Sequence, residues 1–225
     1  MTGISGPSCK CCGRCIACST LRFFDDFNGS AESGWVKDDC PPHTGAFVVS
    51  ADKLRTSGGY PAEVASRYLN SIAFDDAWTC VSLSGVIQWD TAAITAGLIL
   101  FSETSVFYIG GVQAYVRPTF SPGYGLNTTI GGNGCPTAFN AFFGDAIDEE
   151  TEEVTLEIRL NYLETDPSIA TRKLWHVCIL VNDSVVYENE FWLRITETLY
   201  FGAMYTIRDA ITPLISWDNI TLKAN

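Results

Sequence analysis

Along residues 152–162, EEVTLEIRLNY, Val154, Leu156, Ile158 and Leu160 alternate with Glu153, Thr155, Glu157 and Arg159. A period of two marks a strand with one buried and one wetted face. Similar short runs recur from Leu21 onward. TCVSLSGVIQW, AGLILF, LYFGAMYT and LISWDNITL each read as strands between Gly, Pro, Asn and Asp punctuation. KLWHVCILVNDSVVYENEF reads as a hairpin turning at Asn182-Asp183, and VFYIGGVQAYV as one turning at Gly110-Gly111. SPGYGLNTTIGGNGCP reads as a long loop and DAIDEETEE as an acidic, solvated one. No long window carries a helical period. The pattern predicts an all-β sandwich or barrel.

Composition narrows the classes. The chain has 225 residues, 47% of them hydrophobic, enough for one large β domain with a packed core. Its net charge of -12 argues against nucleic acid as a partner, since such proteins need a basic stripe. No apolar run reaches the length of a membrane span, so no membrane insertion is expected. No signal peptide is visible in MTGISGPS. Nine cysteines nevertheless point to an oxidising setting. Either the chain is a mature form with an added Met, or it reaches the outside without a leader, as virion proteins do when lysis releases them.

Several of these runs resemble the concanavalin A-like lectin/glucanase, or laminin G-like, family of phage and bacterial surface proteins. FFDDFNG followed by Gly34-Trp35 is similar to its opening strand. AGLILF with VFYIGG resembles its centre, LVNDSVVYE a late hairpin and ISWDNITL the closing strand. The resemblance covers Leu21 to the C-terminus. It implies an antiparallel jelly roll of two large sheets with first and last strands adjacent. Such a fold does not decide function.

The hydrolase branch of that family carries Glu-x-Asp-x-x-Glu on one strand, placing carboxylates on both sides of the scissile bond; retaining chemistry needs them about 5 Å apart. The motif is missing here. Its nearest approximations, Glu188/Glu190 and Glu153/Glu157, lack the middle Asp. His43 and His176 sit in no nucleophile motif, so no catalytic residue is assigned. The resemblance also implies a structural calcium, whose carboxylate positions match Asp25, Asp26 and Asp218. Glycan binding would use aromatic platforms beside polar groups. The candidates are Trp89, Tyr108, Tyr115, Tyr124 and Trp192, with Gln113 and Arg117. The same aromatics also suit packing between sheets.

The tract CKCCGRCIAC places Cys9, Cys11, Cys12, Cys15 and Cys18 in an arm, residues 1–20, too polar to build a core ahead of the jelly-roll domain, 21–225. Its spacing lacks the long separation of a zinc ribbon and the strand-to-helix context of a redox centre. Disulfides within the arm, disulfides to Cys40 and Cys135, bridges to a neighbouring chain, bound zinc and inert thiols all stay open. Cys80 and Cys178 lie inside strands and read as buried free thiols. The expectation is a non-catalytic surface protein of an extracellular assembly, a homo-oligomer or phage-like particle exterior, with a glycan-binding face. A secreted lectin or adhesin and a glycoside hydrolase or lyase are the alternatives.

Overall fold

A computed structural model describes residues 15–39, 47–56, 64–89, 94–102, 111–118, 124–130, 140–147, 153–170, 172–195, 197–207 and 215–225. In chain order the described strands are β1 (Leu21–Asp25), β2 (Val36–Asp39), β3 (Phe47–Ser50), β4 (Lys53–Thr56), β5 (Val64–Ala73), β6 (Cys80–Trp89), β7 (Ile94–Phe101) and β8 (Gly111–Pro118). They continue as β9 (Tyr124–Ile130), β10 (Asn140–Ile147), β11 (Glu153–Thr165), β12 (Arg172–Val181), β13 (Ser184–Arg194), β14 (Thr198–Ile207) and β15 (Ile215–Ala224). One sheet has eight strands in the order β13-β12-β11-β6-β15-β4-β3, with β1 added beside β15. The other has seven, ordered β10-β9-β8-β7-β14-β5-β2. Every described pairing is antiparallel, and the fold is a two-sheet jelly-roll sandwich.

The alternation read from β11 holds, with Val154, Leu156, Ile158 and Leu160 almost wholly buried between the sheets. They meet Leu83 and Ile87 of β6, Leu98 of β7, Trp175 of β12, Phe201 and Tyr205 of β14 and Trp217 of β15 in one core. Trp217 is anchored across the sandwich, donating its indole N–H to the Gly97 carbonyl at 3.1 Å. The β12–β13 turn also forms where expected. Asn182 and Asp183 both adopt positive φ, 48° and 64°, as a two-residue hairpin turn of the primed kind requires.

The FFDDFNG…GW stretch is organised by one buried carboxylate. Asp25 ends β1 at 2% exposure. Its Oδ1 accepts the Phe27 N–H at 2.7 Å; its Oδ2 accepts the Glu32 N–H and the Trp35 indole N–H, both at 2.7 Å. Trp35 is thereby fixed flat against Tyr68, ring centroids 5.0 Å apart. Burial, and then the Asp25 charge, push the Tyr68 phenol above its ordinary pKa. β1 pairs with the far half of β15 and β4 with its near half. The division falls at a register shift between Asp218 and Thr221, where Asn219 turns through φ 54°. First and last strands are therefore adjacent.

One expectation needs correction, and another falls outside the described residues. The hairpin turn read at Gly110-Gly111 lies outside them apart from Gly111. Gly111 begins β8 opposite Phe101, and Val112 pairs with Leu100 on one side and Ile130 on the other. Both edges of β8 are taken, by β7 and β9. The stretch SPGYGLNTTIGGNGCP is not all loop, because Tyr124–Ile130 forms β9. Thr128, Thr129 and Ile130 favour a strand enough to outweigh the flanking glycines.

Two substitutions test this frame. Asp25→Ala removes a charged acceptor from three donors and should cost about 2–4 kcal/mol, read as a lowered urea midpoint. Gly202→Ala would drive its Cβ into the Tyr68 carbonyl and to 3.0 Å from the Trp35 ring. Such overpacking should cost about 1–3 kcal/mol or more, measured in the same way.

Candidate functional site

Residues 15–20 cross the outer face of the eight-stranded sheet, from β12 over β11 to β6. On that face the alternation leaves outside what the core rejects. From β12 it exposes His176 and Cys178, from β11 Glu157, Arg159 and Asn161, and from β6 Cys80 and Ser82. Register lines them up: Asn161 pairs with His176 on one side and Cys80 on the other, while Arg159 pairs with Cys178 and Ser82. Asn161 grips the arm as a strand would. Its Oδ1 accepts the Ile16 N–H at 3.1 Å, and its Nδ2 donates to the Ile16 carbonyl at 3.0 Å. Arg159 donates to the Cys15 carbonyl at 3.4 Å, the Ser19 N–H donates to Asn225 Oδ1 at 2.8 Å, and the Ala224 N–H donates to the Thr20 carbonyl at 2.9 Å.

Two disulfides bolt the arm down. Cys15 joins Cys178, with Cα atoms 6.0 Å apart and 163 residues between them in sequence. Cys18 joins Cys80, at 5.6 Å and 62 residues. Cys80 is itself held by the C-terminus, since Asn225 exchanges backbone hydrogen bonds with it at 2.9 and 3.1 Å. Cys80 and Cys178 are thus not free thiols, which corrects the sequence reading. The signal lay in the alternation. Val81 and Leu83 point inward, so Cys80 points outward; His176 and Cys178 likewise oppose Trp175 and Val177. A side chain on the outer face of a strand is buried only if something lies over it, and here the arm does.

The hydrogen bonds of the arm are each worth about 1 kcal/mol. Ordering six residues of backbone costs about 1–2 kcal/mol apiece. The five hydrogen bonds alone therefore fall short, and the covalent links decide whether the arm stays in place.

Beside the Cys15–Cys178 bridge is a compact group of potential metal ligands. Cys15, His176, Cys178 and Glu188 present ligand atoms all within 4.8 Å of one another. Cys15 Sγ lies 3.8 Å from His176 Nε2 and 3.5 Å from Glu188 Oε2, and these two are 3.3 Å apart. His176 is 2% exposed, and its Nδ1 has no hydrogen-bond partner among the described residues. Glu188 stays about a quarter exposed and opens the cluster to solvent. On the neighbouring strand, Glu157 is occupied by Arg159 through both carboxylate oxygens, at 2.7 and 2.8 Å. That hydrogen bond is the main cause that raises the Arg159 pKa.

The other predicted site residues are dispersed. Asp26 Oδ1 accepts the Asn28 N–H and Asp218 Oδ1 the Asn219 N–H. With Asp25 turned to its three donors, these acids do not form a cluster of the kind found at Cys15. Gln113, Tyr115 and Arg117 lie on β8 and Tyr124 on β9, in the seven-stranded sheet, with Pro118 opposite Tyr124. Trp89 ends β6, and Trp192 lies on edge strand β13 with the Arg172 guanidinium 5.5 Å from its ring centroid. Tyr108, Cys9, Cys11, Cys12, Cys40, Cys135 and His43 lie outside the described residues. Among the described residues no helix is long and apolar enough to cross a membrane.

Replacing Cys18 and Cys80 together by Ser should lower stability by about 2–4 kcal/mol, measured by urea unfolding. Exchange of the amides of residues 15–20 should rise in parallel.

No protein-family model and no curated protein matches the sequence. Solved structures do. The CBM2 module of the evolved Dit of Lactobacillus casei BL23 phage J-1 superposes with a TM-score of 0.58 at 10% identity, covering 92% of this chain and 97% of that one. The carbohydrate recognition domain of Emp47p gives 0.57 at 9%, covering 89% and 93%. A prokaryotic β-1,3-1,4-glucanase from a mouse hindgut metagenome gives 0.56 at 9%, covering 90% and 99%. At such identities the likeness shows the fold, a concanavalin A-like jelly roll.

Proposed function

We propose that this jelly roll is a non-catalytic, carbohydrate-binding surface module of an extracellular assembly, of the kind carried on phage particles. The observation that supports it most is the occupation of the outer face of the eight-stranded sheet. The arm is cross-linked over the eight-stranded sheet, and one carboxylate of each pair nearest to a hydrolase motif is engaged there. Glu157 is held by Arg159, and Glu188 stands against His176 and Cys15. A general acid and base need free carboxylates facing a cleft.

The seven-stranded sheet carries most of the candidate glycan-binding residues. Gln113, paired with Ile99, and Tyr115, paired with Gly97, lie on β8. Arg117 follows on the same strand and Tyr124 on the next. Aromatic and polar groups on adjacent strands suit the stacking and hydrogen bonding by which sugars are held. Two disulfides fit an oxidising location, and the phage Dit module among the similar structures supports the assembly reading.

A glycan array with surface polysaccharides tests the binding function. The wild-type chain should bind at least one glycan class, with affinity falling more than about tenfold in Tyr115→Ala and Arg117→Ala. The same glycans should release no new reducing ends. Absence of any glycan ligand would sink the binding reading, and hydrolysis abolished by Glu188→Gln would sink the non-catalytic one. Native mass with and without reductant tests assembly; a monomer in both conditions argues against it.

A further inference from the structure

The Cys15–Cys178 bridge is surrounded by groups a disulfide does not need. A disulfide sulfur has no proton to donate, so a carboxylate oxygen 3.5 Å from Cys15 Sγ gains no hydrogen bond from it. Nor does His176 Nε2 at 3.8 Å depend on the bridge, since its partner is Glu188 Oε2 at 3.3 Å. The second bridge, Cys18–Cys80, has no such company: the Cys15 group is the cluster of three or more metal-capable side chains found among the described residues.

The spacing has a chemical meaning. Tetrahedral Zn²⁺ with Zn–S about 2.3 Å and Zn–N and Zn–O about 2.0–2.1 Å sets ligand–ligand edges of about 3.4–3.6 Å, and about 3.8 Å between two sulfurs. The observed edges among Cys15 Sγ, His176 Nε2 and Glu188 Oε2 are 3.8, 3.5 and 3.3 Å. Three of the six edges are therefore already close to tetrahedral length. The edge that must open is the one closed by the S–S bond. Cys178 and His176 are fixed in the middle of β12, while Cys15, itself half-buried, belongs to the arm and Glu188 borders solvent. The movable ligand is thus the one on the arm.

We propose that, once reduced, Cys15, Cys178, His176 and Glu188 form a Zn²⁺ site, so that the arm's anchor alternates between a disulfide and a zinc bridge. A small-molecule or protein dithiol supplies the two electrons. Its two thiols become a disulfide as the Cys15–Cys178 bond becomes two thiols. Zn²⁺ then replaces the two thiol protons, which pass to solvent, and completes its shell with the His176 imidazole and the Glu188 carboxylate. The arm stays attached to β12 in either state, whereas the Cys18–Cys80 link is lost on reduction.

The test uses the full chain with Cys9, Cys11, Cys12, Cys40 and Cys135 replaced by Ser, so that their thiols do not bind metal. Phosphine-reduced, desalted protein is titrated anaerobically with Co²⁺ and then Zn²⁺. The expected result is a single equivalent of Co²⁺ with tetrahedral thiolate absorption, displaced by Zn²⁺ and absent from the oxidised protein. His176→Ala and Glu188→Gln should each weaken binding by more than about tenfold, while Cys18→Ser with Cys80→Ser should leave it intact. No thiolate absorption on reduction, equal binding by the oxidised form, or unchanged affinity in both ligand variants overturns the proposal. So does a reduced chain that unfolds and is not restored by zinc.

Discussion

The covalent fastening of a six-residue segment across the outer face of one sheet is the constraint on which the surface of this protein depends. Two cysteines on the arm meet two cysteines on strands that flank β11, and Asn161 of β11 holds the chain between them. A polar arm with few large apolar side chains gains little from burial, and its hydrogen bonds do not offset the entropy of ordering it. Cross-links do, by removing open conformations from the competing ensemble. The outcome is a sandwich with the outer face of its eight-stranded sheet covered at β12, β11 and β6.

The same arrangement assigns the charged groups of the covered face. Glu157 and Arg159 bind each other and direct the guanidinium toward the Cys15 carbonyl. Glu188 and His176 turn toward the Cys15 bridge. In this fold carboxylates can do the work of hydrolysis, hold a metal or organise backbone, and the surroundings decide among them. Asp25 shows the last use plainly: a buried charge satisfied by two backbone N–H groups and an indole, setting the loop that carries Trp35 into the core.

Much of the fold was legible in the chain because alternation and turn chemistry are local. β11 follows directly from Val154, Leu156, Ile158 and Leu160, and the β12–β13 turn from Asn182-Asp183. The resemblance of FFDDFNG and ISWDNITL to opening and closing strands implied their adjacency, which the β1–β15 pairing shows. The site was less legible. The strand β8 takes β7 on one edge and β9 on the other, a sheet order that no local window reveals. The partners of Cys15 and Cys18 lie 163 and 62 residues away, and only sheet order brings them together. The outward phase of Cys80 was readable from Val81 and Leu83. The near-continuous apolar run of β12 hid that of Cys178, because covering by the arm gives an outer face the composition of an inner one.

The most direct measurement of the central claim is peptide mapping of the air-oxidised protein, digested without reductant after blocking of free thiols. The account predicts cross-linked peptides joining Cys15 to Cys178 and Cys18 to Cys80 within a single chain. Recovery of these four residues as blocked thiols, or their appearance only in links to other cysteines or between chains, would contradict it.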